Sequence, residues 1–445
     1  MKQNSKNKLV SRTRGIPVAH EKATALQESV RLPIPATVTI PMQMHIGAPC
    51  TPLVKVGDKV LVGQKIGDSE QFVCAPIHAS VSGTVKAITE VALGGGAVSQ
   101  AVVIESDGEM TPAPVVPPVI QNAKELADAV RECGLVGLGG AGFPTHVKLR
   151  VPAGKRIDFL LINAAECEPY LTADNREILE NAWDVMSGIY AVKKYLEIPR
   201  VVIGVESNKP EAIDMLTRIA ESSVDERDEV GVMTLPASYP QGAEKILIKS
   251  ATGREVPPGK LPSDVGCIVM NVTSIAVLAR YLKTGMPLTE KRITVEGSAI
   301  ERPQNIIAPI GTSVAEILAY AGVKEDVSKI LLGGPMMGTA LADTGVPIVR
   351  NTNGIVAMSK AEASLREPSA CIRCGRCAAA CPMRLAPFAL EKATARADLE
   401  ALSALDLMNC MECGSCAFVC PASRPLAQSM RLGKTLLRAA AAKKK

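Results

Sequence analysis

The sequence predicts a multidomain protein of the α/β plus α+β class, with a C-terminal helical module built around metal–sulfur chemistry. Three observations carry that prediction. Apolar and polar residues alternate between 35 and 105, β-branched apolar runs flank a helical stretch between 156 and 207, and eight of the thirteen cysteines crowd into residues 371–420. At 445 residues the chain is too long for one core, and roughly one domain per 100–200 residues gives three or four. With 47% hydrophobic residues but only 3% aromatics, those cores must pack Ala, Val, Leu and Ile rather than rings.

Taken in order, residues 1–34 form a basic tail and a leading segment: Lys2, Lys6, Lys8, Arg12 and Arg14 stand at one end of the chain, as Lys443, Lys444 and Lys445 do at the other. Both ends are suited to an acidic surface or simply to solvent. The start has no apolar stretch of signal-peptide length, and no run of eighteen apolar residues occurs, so a chain on the cytosolic side is expected. Thirteen cysteines in such a chain point to metal chemistry rather than disulfides.

Residues 35–110 read as short antiparallel strands broken by turns at "VGDKV", "VGQKIGD" and "VSGTV". The phrases "VKVGDKVLVGQKIG" and "APIHASVSGTVKAI" resemble the two halves of a lipoyl or biotinyl carrier domain. The hairpin tip "DSEQFV" lacks the lysine a carrier needs, so a structural or docking role is expected. A proline-rich linker, 111–121, follows with "TPAPVVPPV". Residues 122–290 form the α/β domain: "AKELADAVRECG" has helical spacing and a stop at Gly134, while "RIDFLLINAAE" and "PRVVIGVES" are buried-strand runs around a helix at 175–196. A small α+β unit occupies 291–358, with strand "RITVEG" and a helix in "TSVAEILAYAG", where Ser313 and Glu316 have capping-box spacing. The cysteine module spans 359–435, and 436–445 is a basic tail.

Cys371, Cys374, Cys377 and Cys381-Pro382 follow C-x2-C-x2-C-x3-C-P, and Cys410, Cys413, Cys416 and Cys420-Pro421 repeat the pattern. This is the bacterial ferredoxin spacing for two [4Fe-4S] clusters, in which the fourth cysteine of each run ligates the other cluster. One cluster is therefore assigned Cys371, Cys374, Cys377 and Cys420, the other Cys410, Cys413, Cys416 and Cys381. Structural zinc is satisfied by four tetrahedral ligands and has no use for two matched quartets. The remaining Cys50, Cys74, Cys133, Cys167 and Cys267 read as buried free thiols.

"GLGGAG" at 137–142 satisfies G-x-G-x-x-G, but it follows a predicted helix rather than a strand, so the dinucleotide-fold context fails. In the longer "GLGGAGFPTHVK", side-chain-free positions let backbone N–H groups approach an anion, and Lys148 adds positive charge; a tight packing turn is the alternative. In "INAAECEPYLTADNR", Asn163, Glu166 and Glu168 fall at the end of an apolar strand. There they suit sugar hydroxyls or a cationic ring, or else cap the next helix. "YPQGAEKILIK" and "VMNVTS" supply further polar groups beside buried-looking runs.

Together these strings resemble the flavin- and NADH-binding fold of respiratory complex I, over roughly residues 122–285, followed by an SLBB-like β-grasp unit. The whole chain resembles more closely the C-subunit family of Rnf complexes, membrane-bound, ion-pumping ferredoxin:NAD+ oxidoreductases. That resemblance rests on "HIGAPCTPLVKVGDKVLVGQKIG", "APIHASVSGTV", "GLGGAGFPTHVKL", "NAAECEPYLTADNR", "GREVPPGKLP", "LLGGPMMG" and the two cysteine runs in this order. A barrel-sandwich-like N-terminal module is then implied. Cobalamin reductases of propanediol-utilising microcompartments share the flavin and cluster parts but begin near the glycine loop. An electron-wiring subunit with no nucleotide turnover is a further alternative.

By this resemblance, Gly137, Gly139, Gly140 and Gly142, with Lys148, Asn163, Glu166, Asn271 and Ser274, would hold FMN non-covalently. Phe143, Glu168, Glu244 and Lys245 would face NAD(H). No side chain is expected to act as acid or base, since hydride transfer belongs to the cofactors. The implied partners are the other Rnf subunits, including a ferredoxin-like B subunit and membrane subunits, with ferredoxin reached indirectly. The implied place is the cytoplasmic face of the membrane. Two positions depart from the relatives: His20 is displaced from the family's G-G-x-H-P, and Met270-Asn271 stands where complex I relatives carry paired asparagines. Nucleic acid is not an expected partner, because the basic residues form no stripe and stacking rings are few.

Overall fold

The computed structural model describes residues 15–152, 154–222 and 230–443. The basic residues Lys2, Lys6, Lys8, Arg12, Arg14, Lys444 and Lys445 lie outside them. The N-terminal β module pairs a four-stranded antiparallel sheet, in the order Thr37–Pro41, Val98–Ser106, Gly83–Ala92 and Lys59–Val60, with a three-stranded one of Thr51–Pro52, Lys65–Asp68 and Ile77–His78. The alternation read from the sequence turns Val38, Ile40, Val85, Val102 and Ile104 inward, where all five are buried in one core with the helix that follows.

That helix, Ala123–Glu132, is capped by Asn122, whose side chain accepts from the Glu125 N–H, and it ends at Gly134 with φ +68°. The α/β domain is a parallel sheet in the order Val230–Leu235, Arg200–Glu206, Phe159–Ala164 and Cys267–Asn271. The helices Ala173–Tyr195 and Val272–Thr284 cross so closely that a Cβ on Gly188 would lie 2.2 Å from the Ile275 carbonyl oxygen. Because all four strands run the same way, the turns after Ala164, Glu206, Leu235 and Asn271 gather along one edge of the sheet. That edge is where open parallel sheets bind ligands.

The α+β unit is a six-stranded mixed sheet in the order Val30–Arg31, Gln304–Pro309, Glu290–Glu296, Gly354–Ser359, Val327–Leu332 and Thr339–Ala340. Ser313 caps its helix, Val314–Ala321, by accepting from the Glu316 N–H at 3.1 Å. The strand Val30–Arg31 comes from the leading segment and lies parallel to Ile306 and Ile307, so residues 15–34 are part of the fold rather than a prelude to it. Upstream, Ile16 bridges Tyr239, and the Thr24 hydroxyl lies 2.6 Å from that of Thr172 and donates to Glu296 at 3.0 Å.

The cysteine module is helical. Its last helix, Leu426–Ala442, packs on Pro387–Ala395 and runs well past residue 435. The stretch expected as a tail from 436 is helical as far as Ala442, consistent with the helix propensity of its alanines.

Candidate functional site

The glycine loop is closed at its base by the Gly137 N–H donating to the Phe143 carbonyl at 2.9 Å, and the Thr145 N–H to that of Leu135 at 3.0 Å. The buried Ser274 hydroxyl staples it from inside, accepting from the Leu138 N–H at 3.0 Å and donating to the Val136 carbonyl at 3.2 Å. Gly139 packs directly on Asn271, since a Cβ there would lie 2.4 Å from Asn271 Nδ2. Gly140 faces open space, with nothing within 4 Å of its Cβ direction. Among the described residues no backbone carbonyl takes the N–H groups of Gly139, Gly140, Ala141 or Gly142. Four unclaimed donors beside an open, side-chain-free face fit an anionic group such as a phosphate. The rest of the loop is held by neighbouring domains: Asn351 Nδ2 donates to the Gly140 carbonyl at 2.8 Å, and the Ile46 N–H to that of Gly142 at 3.1 Å.

Three other pieces meet the loop at the carboxyl edge of the parallel sheet. Lys148, on the helix Thr145–Leu149, pairs with Glu244 at 3.0 Å and donates to the Val269 carbonyl at 3.2 Å. Asn163 Nδ2 donates to the Gly242 carbonyl at 2.7 Å. Asn271 caps the helix Val272–Thr284 by accepting from the Ser274 N–H at 3.1 Å, and its Nδ2 donates to Asp174 at 2.7 Å. Lys245 shares the first turn of the helix Glu244–Thr252, and Phe143 is half-buried at the end of the loop.

The two acidic residues turn inward. Glu166, at φ +50°, accepts from the N–H groups of Asp174 and Asn175 at 2.6 and 3.1 Å, which makes it the anion at the head of the helix Ala173–Tyr195. Burial pushes its carboxyl up to about 7, against the opposing pull of Lys22 and Lys209. Glu168 accepts from the N–H groups of Met336 and Met337 at 3.1 and 2.8 Å, and burial likewise pushes it up to about 7. Glu166 thus takes the capping option left open by the sequence, while Glu168 holds the turn at Met336 and Met337 instead.

Lys22, Lys209 and Tyr239 join the site without having been singled out by the sequence, and His20 joins it despite its displacement. Lys22 Nζ donates to the carbonyls of Glu166 at 2.9 Å and Glu168 at 2.7 Å, and also to that of Leu171. The His20 carbonyl accepts from the Tyr170 N–H at 3.0 Å, which sets the displaced histidine beside the same turn. Lys209 Nζ donates to the Ala165 carbonyl at 2.6 Å. Buried Tyr239 sits beside the Gly242 turn and donates its hydroxyl to the Cys413 carbonyl at 2.7 Å, joining the carboxyl edge to the cysteine module. No local pattern announces the two lysines; "YP" before "QGAEK" marks only a turn.

In the cysteine module the two runs have the same backbone shape. Arg373 and Glu412 have φ +56° and +58°, Gly375 and Gly414 +75° and +78°, and Arg384 and Ser423 +57° and +50°. Left-handed turns at matching positions curl each run around a point of its own. One pocket is walled by Cys381, Cys410, Cys413 and Cys416, taking the fourth cysteine of the first run and the first three of the second. At the other end the Ser369 N–H donates to the Ala422 carbonyl at 3.0 Å, and Arg424 lies near both Cys371 and Cys420, so the start of the first run meets the end of the second. Cys371 and Cys374 are exposed and Cys377 is buried. Two groups of four thiols, one around an almost wholly apolar pocket, fit two cubane clusters better than scattered single ions.

Residues 130–280 match the Nuo51 FMN-binding domain family, and residues 363–430 match the 4Fe-4S dicluster domain family. Fold and sites together define an iron–sulfur flavoprotein of the electron-transfer class. Residues 10–109 match the RnfC barrel sandwich hybrid domain. The chain is 42% identical over 436 residues to the C subunit of the proton-translocating ferredoxin:NAD(+) oxidoreductase complex of Clostridium ljungdahlii, covering 96% of this chain and 94% of that one. It is 42% identical to the Na(+)-translocating counterpart of Acetobacterium woodii, covering 90% of each. It is 39% identical to the C subunit of the ion-translocating oxidoreductase complex of Rhodobacter capsulatus, covering 94% of this chain and 81% of that one.

The chain therefore belongs to the RnfC family, the C subunits of Rnf complexes. The barrel-sandwich match and this coverage place it there rather than with the cobalamin reductases. A solved NAD+-reducing [NiFe]-hydrogenase shares the fold with a TM-score of 0.51 at 19% identity, over 72% of this chain and 63% of the hydrogenase chain.

Proposed function

We propose that this chain is the peripheral subunit of an ion-translocating complex at which one-electron carriers exchange with NAD+, coupling ferredoxin oxidation to NAD+ reduction. When bound, FMN converts between single electrons and hydride, and the two [4Fe-4S] clusters relay the single electrons. The observation that carries the reading is the Tyr239 hydroxyl resting on the backbone of a cluster cysteine, which ties the cysteine module to the same α/β domain whose glycine loop has unclaimed N–H groups.

In this reading Gly139, Gly140 and Gly142 offer backbone N–H groups to the flavin phosphate, and Lys148 adds charge. Ser274 and Asn271 shape the loop, while Asn163 and Glu166 fix the turn opposite it. Phe143, Glu244 and Lys245 line the approach for the nicotinamide nucleotide, while Glu168, expected beside them, acts through the Met336 and Met337 backbone it holds. The Cys410, Cys413, Cys416 and Cys381 set stands on the flavin side of its module, because Cys413 packs with Tyr239 and Cys167. In the Cys371, Cys374, Cys377 and Cys420 set the first two cysteines are exposed, open to the approach of a ferredoxin-like B subunit. Among the described residues no helix is long and apolar enough to cross a membrane, so ion movement falls to membrane subunits. The proposed place is their cytoplasmic face.

The test is anaerobic purification followed by iron, sulfide and flavin analysis, then addition of NADH. Iron on the order of eight per chain and NADH-dependent bleaching of flavin absorbance are expected. Iron near zero with zinc in the cluster cysteines would sink the cluster assignment, and failure to bleach would sink the nucleotide site.

A further inference from the structure

Cys50 and Cys74 are buried free thiols, as the sequence leads one to expect, but they lie side by side. Cys50, just before the strand Thr51–Pro52, and Cys74, shortly before Ile77–His78 of the same sheet, bring their sulfurs to 3.4 Å. One ring nitrogen of His45 joins them, and the three ligand atoms lie within 4.8 Å of one another. All three residues are buried, His45 at 7% exposure.

The histidine supplies a second observation. Its Nε2 lies 3.0 Å from the Ala48 carbonyl oxygen, which can only accept, so Nε2 carries the proton. The Ala75 N–H approaches the same nitrogen at a weaker 3.4 Å. Nδ1 is then an unprotonated lone pair, buried and without a hydrogen-bond partner. A buried imidazole acceptor left unpaired costs about 1–3 kcal/mol. A histidine that donates one N–H to a backbone carbonyl and keeps the other nitrogen bare is in the state of a metal ligand.

Arg350 is fully buried nearby, and its guanidinium donates to the Ala75 and Pro76 carbonyls, which fixes the backbone beside Cys74. Two sulfurs bound to zinc at about 2.3 Å in a tetrahedron stand about 3.8 Å apart, so the observed pair needs to open by only a few tenths of an ångström. A disulfide needs the sulfurs to close to about 2.05 Å, a larger movement.

We propose that His45, Cys50 and Cys74 bind one zinc ion, with a water completing the tetrahedron. The ion clips the loop 42–50 to the strand approach at 74–75. Ile46, the next residue after His45, bonds the glycine loop at Gly142, so the clip stands one residue from the flavin loop's outer support. The loop residues Ile46 and Gly47 are exposed and give a path for the metal.

The full chain, purified anaerobically with its iron complement verified so that cluster cysteines are occupied, is incubated with zinc(II) alone and desalted. About one zinc per chain is expected, with X-ray absorption at the zinc edge showing two sulfurs at about 2.3 Å and nitrogen or oxygen at about 2.0–2.1 Å. Cys74→Ser and His45→Ala should each lower bound zinc at least fivefold at unchanged iron. Should either variant fail to fold, the absorption spectrum of the unmutated chain still decides. A zinc-free chain, a four-sulfur zinc shell, or a Cys50–Cys74 disulfide in metal-free protein overturns the proposal.

Discussion

Replacing Gly139 and Gly140 by alanine, one at a time, should separate the packing side of the glycine loop from its ligand side. At Gly139 the new methyl would sit 2.4 Å from Asn271 Nδ2 and 2.8 Å from its Cγ, where real contacts almost never fall below 3.0 Å. Asn271 must retreat, yet it is held at both ends, by the Ser274 N–H at 3.1 Å and by Asp174 at 2.7 Å. Losing the cap costs about 1 kcal/mol, and weakening the bond to the carboxylate about another 1.5 kcal/mol. The Gly139→Ala variant should therefore be destabilised by about 2–3 kcal/mol, read as a lower denaturant midpoint at unchanged slope. At Gly140 the methyl meets nothing within 4 Å and the backbone is not left-handed, so stability should hold within about 0.5 kcal/mol. The same methyl would stand between the loop's N–H groups and a flavin phosphate. One lost charge-assisted bond, about 1.5–3 kcal/mol, corresponds to roughly 10–100-fold weaker FMN binding in a fluorescence titration. If Gly140→Ala binds FMN as tightly as the unmutated chain, the flavin does not sit on that face; a fully stable Gly139→Ala would refute the Asn271 packing.

Three further outcomes follow from the same geometry. Cys381→Ala should bleach the spectroscopic signal of the Cys410 cluster before that of the Cys371 cluster, and the reverse order would show that the crossed assignment is wrong. Tyr239→Phe removes the hydroxyl that holds the Cys413 carbonyl at 2.7 Å. It should lower stability by about 1 kcal/mol and slow flavin reduction by pre-reduced clusters while leaving iron and flavin content intact; an unchanged rate would separate that contact from electron transfer. Glu168, raised by burial from 4.5 to about 7, favours folding most when both states are protonated, below pH 4.5, and loses that contribution as pH rises through 7. Urea midpoints of the unmutated chain measured against Glu168→Gln should accordingly fall between about pH 4.5 and 7.5, and a pH-independent difference would contradict the buried carboxyl.

What was legible in the sequence follows the range of the interaction that encodes it. The cysteine runs were legible because each holds most of a cluster's ligands within eleven residues, and matching left-handed turns at Arg373 and Glu412 preserve the local spacing. The glycine loop and the Asn122 and Ser313 caps were legible for the same reason. The strand Val30–Arg31 was not, because two residues carry no period and their partners lie at Ile306 and Ile307. Lys22 was missed because its three carbonyl partners, Glu166, Glu168 and Leu171, are nearly 150 positions away. Glu166 and Glu168 were found as acids but not as backbone clamps, since that depends on how Asp174 and Met336 approach them. The trio of His45, Cys50 and Cys74 escaped because 24 residues separate the two thiols, with no metal-binding motif between them.

The leading segment also fixes an order in time. Ile16 finds its partner at Tyr239, Thr24 at Thr172 and Glu296, and Val30 at Ile306. During synthesis residues 16–31 must wait until residue 307 has emerged before their last native hydrogen bonds can close, and such long loops close slowly. Lys22 belongs to that waiting segment, so the turn bearing Glu166 and Glu168 receives its lysine only after Leu171 has been made. A nascent chain stalled before residue 290 has the whole parallel sheet and the partners of Ile16 and Lys22 but no sheet partner for Val30–Arg31, so cleavage at Val30–Arg31 should persist until translation resumes.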